Sequence, residues 1–336
     1  MRVTALALLL ALALGACGPR SAPAPAHPNA VPGVTVNVCG VPTAYPKEPK
    51  RAVTYDVGIT EMFLFLGLAD RLVGYAGIPD GKEIAPEFAP ALARLPKLST
   101  QGMNLETLVN AGTDFVFGGW SYGFRQGGVT PELLARHGIA SYVLTESCIH
   151  VAARSEVRLE DAFDDMRHIG AIFRSSAQAD QQVAVLAQGL ATLRREMAGV
   201  THRPRVFVYD SGDKLPTTSG RYGMPRAMLH EAGADNLFDD IASNWPQGNW
   251  EDVVTRDPEW IVIVDYGHPS AEGKRHFLMR KPELAGVSAI RHQRFFVMTY
   301  AEATPGPRNV ATTQRLAAAL HPERRITVDP PALGTP

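Results

Sequence analysis

The residues with the plainest chemical potential form one short segment, Gly119-Trp120-Ser121-Tyr122-Gly123. The segment fits the G-x-S-x-G pattern, in which a serine hydrolase places its nucleophile on a sharp turn between a strand and a helix. Asp265 and His292 follow in the chain order that such an enzyme needs. The pattern requires a helix directly after it, but residues 124–128 contain two glycines and favour no helix. A hydrolase that uses Ser121 is therefore the weaker hypothesis.

A second set of residues occurs twice in the chain. Asn104-Leu105-Glu106 has a counterpart 145 positions later, Asn249-Trp250-Glu251, and each copy leads into an apolar pair and then a buried strand. Acidic residues are favoured in the first turn of any helix by the helix dipole, which would explain either glutamate alone. The duplication indicates two similar lobes with one exposed carboxylate each. Such a pair suits a symmetric two-subunit partner that presents an arginine on each subunit.

The elements that must position these residues alternate along the chain. Short apolar runs predict strands at 52–55, 72–76, 115–118, 141–145, 205–210, 260–265 and 294–299. Helical patterns fall between them, for example at 130–137, 224–232 and 307–320. This alternation predicts an α/β fold with mostly parallel sheets.

One long segment, 175–199, shows no strand pattern. Its apolar residues repeat at three- and four-residue steps and form one stripe: Val183, Leu186, Leu190, Leu193 and Met197. We therefore expect two Rossmann-like lobes joined by one long helix, with a ligand cleft between the lobes. The predicted boundaries are 34–173 for the N-terminal lobe, 174–200 for the helix, 201–326 for the C-terminal lobe and 327–336 for a tail.

The first residues indicate export. An unbroken Ala/Leu run at 5–14 is too short to span a bilayer but suits the centre of a signal peptide. It ends in Leu14-Gly15-Ala16-Cys17, which resembles the lipobox of bacterial lipoproteins. We expect a signal peptide and lipobox at 1–17, a Pro/Ala-rich tether at 18–33, and a lipid anchor on Cys17 facing the periplasm or cell exterior. An ordinary signal peptide that contains a cysteine is the alternative.

Two cysteines remain beyond the anchor, Cys39 and Cys148. An exported protein meets an oxidising compartment, and an even count permits one disulfide. We expect that bridge within the N-terminal lobe, and two separately buried thiols are the alternative.

Several short stretches resemble one family of transport proteins. Residues 98–106, together with Trp245-Pro246-Gln247 and Glu251, are similar to cobalamin-binding members of the solute-binding proteins for siderophores, haem and cobalamin. Thr60-Glu61 and Arg71-Leu72-Val73-Gly74 match the opening of the wider family, which serves ATP-binding-cassette (ABC) importers. The resemblance covers about residues 51–320. It implies a binding protein, not an enzyme, in which Glu106 and Glu251 dock onto arginines of a permease dimer.

The resemblance also places the ligand in the cleft, against loops that follow the strands. Aromatic rings suit a macrocycle or catecholate face, and arginine suits an anionic chelate. The expected ligand residues are Trp120, Tyr122, Tyr209, Arg221, Tyr222, Trp245, Tyr266, Tyr300 and Glu302. The tryptophan that cobalamin-binding members carry between the residues matching Thr100 and Gln101 is missing. An iron–siderophore is therefore the expected ligand, with haem or a corrinoid as alternatives.

Two other kinds of partner are disfavoured. The sequence has neither C-x-x-C nor H-E-x-x-H spacing, and its histidines are scattered, so we expect a metal already wrapped in an organic ligand and no resident metal or cofactor. The net charge of -1 gives no broad attraction for nucleic acid or for an anionic membrane surface.

Overall fold

The computed structural model describes residues 33–329, so Cys17, the expected signal peptide and nearly all of the expected tether lie outside it. The described part opens with an antiparallel hairpin of β1 (Val34–Val38) and β2 (Val41–Tyr45). Within residues 33–329, every helix is too short or too polar to cross a membrane.

The first large sheet is built from parallel pairs. Its strands are β3 (Ala52–Tyr55), β4 (Leu72–Ala76), β5 (Lys97–Ser99), β6 (Phe115–Trp120), β7 (Gly123–Phe124) and β8 (Ala140–Val143). Their order is β5-β4-β3-β6-β8, and the short β7 pairs with the end of β6. The accompanying helices are α1 (Val57–Phe65), α2 (Ala89–Leu92), α3 (Leu105–Asn110), α4 (Pro131–Arg136) and α5 (Leu159–Ile172). The first three residues of β6, Phe115, Val116 and Phe117, are fully buried, as expected for a parallel strand that is covered on both faces.

A single helix, α6 (Ser176–Glu196), follows the first sheet, as the apolar stripe predicted. Val183, Leu186, Leu190 and Leu193 are buried, and the helix packs against α5. Met197, the last residue of the predicted stripe, is the C-cap of the helix. Gly199, two residues later, has a φ of 77°, in the left-handed region that favours glycine.

The second sheet is also parallel, with the order β10-β9-β11-β12. Its strands are β9 (Arg205–Tyr209), β10 (Asp235–Asn236), β11 (Trp260–Asp265) and β12 (Phe295–Thr299). The helices that accompany it are α7 (Met224–Glu231), α8 (Trp250–Arg256), α9 (Ala271–Arg280), α10 (Ser288–Arg291), α11 (Tyr300–Ala303) and α12 (Asn309–Leu320). The predicted fold class, α/β with mostly parallel sheets, is confirmed.

A buried ion pair joins the two halves at one side. Glu61 of α1 is fully buried, and both of its oxygens accept from the guanidinium of Arg308, which precedes α12; the Nε–Oε2 distance is 2.8 Å. Burial raises the pKa of Glu61, although Arg308 opposes that shift. Gly58, in the same helix, approaches the carbonyl oxygen of Pro305 so closely that a Cβ would lie 2.4 Å from it. These contacts fix α1 against the chain that enters α12.

The predicted disulfide between Cys39 and Cys148 is present. It connects the turn between β1 and β2 to a short 3₁₀ helix, Thr145–His150, that follows β8. The hairpin is thereby attached to the N-terminal sheet.

Candidate functional site

In each of the two large sheets, the first strand in chain order ends in a tyrosine that is followed by an aspartate. β3 ends at Tyr55 and is followed by Asp56, and β9 ends at Tyr209 and is followed by Asp210. Both carboxylates are buried, with Asp56 3% and Asp210 5% exposed. Sequence analysis missed both residues, although the repeated Tyr–Asp pair at two strand ends was a visible signal.

Asp56 connects the two lobes through a tyrosine. Its carboxylate accepts a hydrogen bond of 2.8 Å from the hydroxyl of Tyr300, the first residue of α11. The ammonium of Lys82 lies 3.2 Å from the same carboxylate and 3.5 Å from the centre of the Tyr300 ring, within cation–π range. Asp56 has a φ of 78°, a conformation that costs a residue other than glycine about 1–3 kcal/mol and that clusters at binding sites.

Asp210 makes a corresponding set of contacts in the C-terminal lobe. Its carboxylate accepts hydrogen bonds of 2.8 Å from the hydroxyls of Tyr266 and Ser211. Lys274 is buried beside it and donates to the backbone carbonyl oxygens of Asp210 and Val264. The ammonium of Lys274 also lies 4.5 Å from the centre of the Tyr266 ring.

The rings of Tyr266 and Tyr300 bring these two sets of contacts together, because their centroids are 4.9 Å apart. Burial, reinforced by the neighbouring carboxylates, raises the pKa of both hydroxyls, so they remain protonated donors. Burial also raises the pKa of Asp210 and lowers that of Lys274. The cluster thus contains two carboxylates and two lysines, of which Lys82 and Asp56 form an ion pair, and it carries little net formal charge.

A second contact between the lobes centres on Glu146. Tyr122 donates from its hydroxyl to Glu146 at 2.9 Å and accepts from the indole N–H of Trp245 at 2.9 Å. The other oxygen of Glu146 accepts from the backbone N–H of Met224, the first residue of α7, at 2.8 Å. Burial raises the pKa of Glu146 to about 7, although these hydrogen bonds favour its ionised form.

Four of the predicted ligand residues therefore meet near the strand ends: Tyr122, Trp245, Tyr266 and Tyr300. Two others lie in apolar cores. Trp120 packs against Phe124 in the N-terminal lobe. Tyr209 is 2% exposed and stacks against Phe277 in the C-terminal lobe, because successive strand residues face opposite ways and it is Asp210 that reaches Tyr266.

The remaining three predicted residues, Arg221, Tyr222 and Glu302, make no side-chain hydrogen bond to these four aromatic residues within residues 33–329. Arg221 donates from Nε to the carbonyl oxygen of Asp239 at 2.9 Å. Tyr222 is buried. Glu302 caps its own helix and pairs with Arg315 at 2.6 Å, and it lines a separate cavity of about 490 Å³.

The geometry excludes the hydrolase triad. Ser121 does lie in a sharp turn, with a φ of 66°, but the two-residue strand β7 follows it instead of a helix. Asp265 ends β11, and its carboxylate accepts from the backbone N–H groups of Gly267 and Ala271. His292 precedes β12, which runs parallel to β11 and places Thr299 beside Asp265, so the length of β12, about 13 Å at 3.3 Å per residue, separates His292 from the end of the sheet that holds Asp265.

The two predicted docking glutamates occupy matching helix starts. Asn104 caps α3 by accepting from the backbone N–H of Glu106 at 2.8 Å. Asn249 caps α8 by accepting from the N–H of Asp252 at 2.6 Å. Glu106 and Glu251 are both exposed. The duplicated sequence thus has a duplicated local structure. Across residues 33–329 the structure contains no cluster of three or more His, Cys, Asp or Glu side chains arranged to hold a metal ion.

Known proteins resemble this chain over most of its length. The family whose model matches residues 53–301 is described as periplasmic binding protein. A vitamin B12-binding protein of Salmonella typhimurium is 28% identical over 215 residues, which cover 64% of this chain and 72% of that protein.

Solved structures of binding and transport proteins also resemble this chain. A periplasmic binding protein from Veillonella parvula is 28% identical, with a TM-score of 0.75, and the match covers 86% of this chain and 98% of that one. A structure described as an ABC-type Fe3+-hydroxamate transport system, from Saccharomonospora viridis, is 20% identical with a TM-score of 0.73 and covers 85% of this chain and 98% of that one; it shows the fold alone. The chain therefore belongs to the periplasmic binding protein family of ABC importers, and it is a binding protein and not an enzyme.

Proposed function

We propose that this chain captures a chelated metal compound of low net charge between its lobes and delivers it to the permease of an ABC importer. One observation carries the proposal. Aromatic side chains from both lobes, Tyr122 on one side and Trp245, Tyr266 and Tyr300 on the other, meet where the parallel strands end. Such edges are where open α/β sheets bind ligands.

The aromatic side chains supply both apolar contact area and directional hydrogen-bonding groups. Their rings offer flat apolar faces to a macrocycle or a chelate, and their polar ends are bonded across the lobes. A ligand that enters between the lobes replaces the hydrogen bonds from Tyr300 to Asp56 and from Trp245 to Tyr122 with its own groups. A ligand that left those buried groups unpaired would lose about 1–3 kcal/mol for each of them.

Charge narrows the class of ligand. Lys82 is already paired with Asp56, and Lys274 is held by backbone carbonyls beside Asp210. A polyanionic ligand would meet two buried carboxylates with no uncommitted lysine in this cluster to offset them. Ferric trihydroxamates are neutral or cationic, whereas ferric triscatecholates are trianionic. An iron–siderophore of the hydroxamate class is therefore the first candidate.

A corrinoid is the second candidate, and the sequence relatives favour it. The Salmonella typhimurium relative is named for binding vitamin B12. Cobalamin also has a low net charge and a flat macrocycle, so it satisfies the same physical requirements.

Delivery to a permease completes the proposal. The family acts outside the cytoplasm, and we propose that Cys17 carries a lipid anchor that keeps the protein at the membrane. Glu106 and Glu251, exposed at matching helix starts, would then dock onto the two subunits of the permease.

The binding proposal is tested by titrating the purified protein with a ferric trihydroxamate, cobalamin, haem and a ferric triscatecholate, following tryptophan fluorescence. Trp245→Ala should weaken binding of the preferred chelate by roughly tenfold or more, because a half-buried indole contact is lost. Trp260→Ala is the matched control, since Trp260 is also half-buried but begins β11, at the end of that strand remote from Tyr266. Tightest binding of the triscatecholate, or equal effects of the two substitutions, would contradict the proposal.

A further inference from the structure

The helices α3 and α8 present the same surface pattern. Residues 106–110 and residues 251–255 share one sequence of environments, which is exposed, half-buried, buried, exposed and exposed. The first exposed residue is a glutamate in each copy, and the next is a valine three positions later. Val109 is 50% and Val254 is 40% exposed. Residues three apart share one face of a helix, so each helix displays a carboxylate beside an apolar side chain.

A single exposed valine is common on protein surfaces and needs no explanation. Here, however, each valine lies beside a glutamate without an ion-pair partner, at matching positions of two helices. Within the described residues, neither Glu106 nor Glu251 has an ion-pair partner, whereas the adjacent Asp252 pairs with Arg256 at 3.6 Å. The matching positions differ elsewhere, since α3 has Thr107 where α8 has Asp252. Besides the capping asparagine and one buried apolar residue, the two helices therefore share the unpaired carboxylate and the exposed valine.

Both helices begin near the loop that carries Tyr122. Met103, just before α3, lies against Gly123, where an added Cβ would be 2.6 Å from the methionine methyl group. Trp245, shortly before α8, bonds to Tyr122. The two carboxylate–valine faces thus stand next to the loops that form the candidate ligand site, one on each lobe.

We propose that Val109 and Val254 belong to the docking surface for the permease, each filling an apolar socket beside the cation that receives the neighbouring glutamate. This inference rests on the proposed function. The partner that fits is a dimer presenting, once per subunit, an arginine bordered by apolar side chains. The valine would exclude water from the ion pair, and an ion pair at the rim of an interface gains strength when water is excluded.

The test measures binding of the full-length protein to the importer complex that transports its chelate, reconstituted in lipid nanodiscs. The double variant Val109→Ser with Val254→Ser should bind the importer roughly tenfold more weakly than wild type. The control is Val151→Ser with Val185→Ser, since these valines are 50% and 49% exposed and lie on other elements. Chelate affinity and thermal stability should be unchanged in both variants.

The outcomes separate the two proposals. The Val109/Val254 variant could bind the importer like wild type while Glu106→Ala with Glu251→Ala binds more weakly. In that case the valines do not contribute to docking, so this inference is overturned while the proposed function stands. Equal weakening by the control pair overturns it too. Failure of the wild-type protein to bind any importer that carries its chelate would instead overturn the proposed function.

Discussion

Replacing Glu146 by glutamine should change how the stability of the protein depends on pH. The carboxyl group is fully buried and connects Tyr122 to the start of α7. Its pKa is raised from 4.5 to about 7, chiefly because burial penalises the charged form, while Arg154 opposes the shift. Glutamine has the same shape and keeps an oxygen that can accept from the Met224 N–H, but it does not titrate.

The expected magnitude follows from the two pKa values. At low pH the carboxyl group is protonated in both the folded and the unfolded state. Between pH 4.5 and about 7 the unfolded chain has lost the proton and the folded protein still holds it, so the free energy of unfolding falls as pH rises. At about 1.4 kcal/mol per pH unit, this group alone accounts for a fall of roughly 3 kcal/mol.

The assay is urea unfolding of wild type and Glu146→Gln at pH 5 and pH 8. The decrease in the free energy of unfolding from pH 5 to pH 8 should be smaller in the variant than in wild type by roughly 2–3 kcal/mol. The free energy of unfolding of the variant should still decrease somewhat over this range, because burial also raises the pKa of Asp165 to about 7. Glu132→Gln, at an exposed helix start, serves as the control and should leave the pH dependence unchanged. An identical fall in wild type and Glu146→Gln would refute the reasoning.

Three further outcomes are expected. Replacing Cys39 and Cys148 by serine should lower the free energy of unfolding by about 4 kcal/mol, because the bridge closes a loop with a sequence separation of 109; no loss in urea titrations would contradict this. Glu106→Ala with Glu251→Ala should leave folding and chelate affinity nearly intact but cut uptake sharply, and a parallel loss of affinity would place the glutamates in the ligand site. Cys17→Ser should release the protein from membranes or block its processing, whereas a mature chain that still sedimented with membranes would argue against the anchor.

The features that could be predicted from sequence are those set by local pattern. The apolar stripe in 175–199 predicted α6, and the repeated Asn and Glu predicted the two capped helix starts at Glu106 and Glu251. Both depend on residues within a few positions of each other, where periodicity and capping act directly. The bridge from Cys39 to Cys148 was predictable because exported proteins with two cysteines commonly pair them.

The parts that sequence analysis missed depend on contacts between distant residues. Tyr300 reaches Asp56 across 244 positions, so neither residue shows its partner in the local pattern. Tyr209 was predicted to face the ligand, but strand alternation directs its ring into the core, and the buried Asp210 that follows it bonds to Tyr266 instead. Arg221 was expected to balance an anionic chelate, and the structure directs its Nε to a backbone carbonyl of Asp239.

Calorimetric titration of the full-length protein tests the central claim most directly. The protein should bind one intact metal chelate of low net charge per chain, and it should bind neither the free ferric ion nor the metal-free chelator with comparable affinity. Saturable binding of the free metal ion, or no binding of any neutral or cationic chelate, would contradict the account.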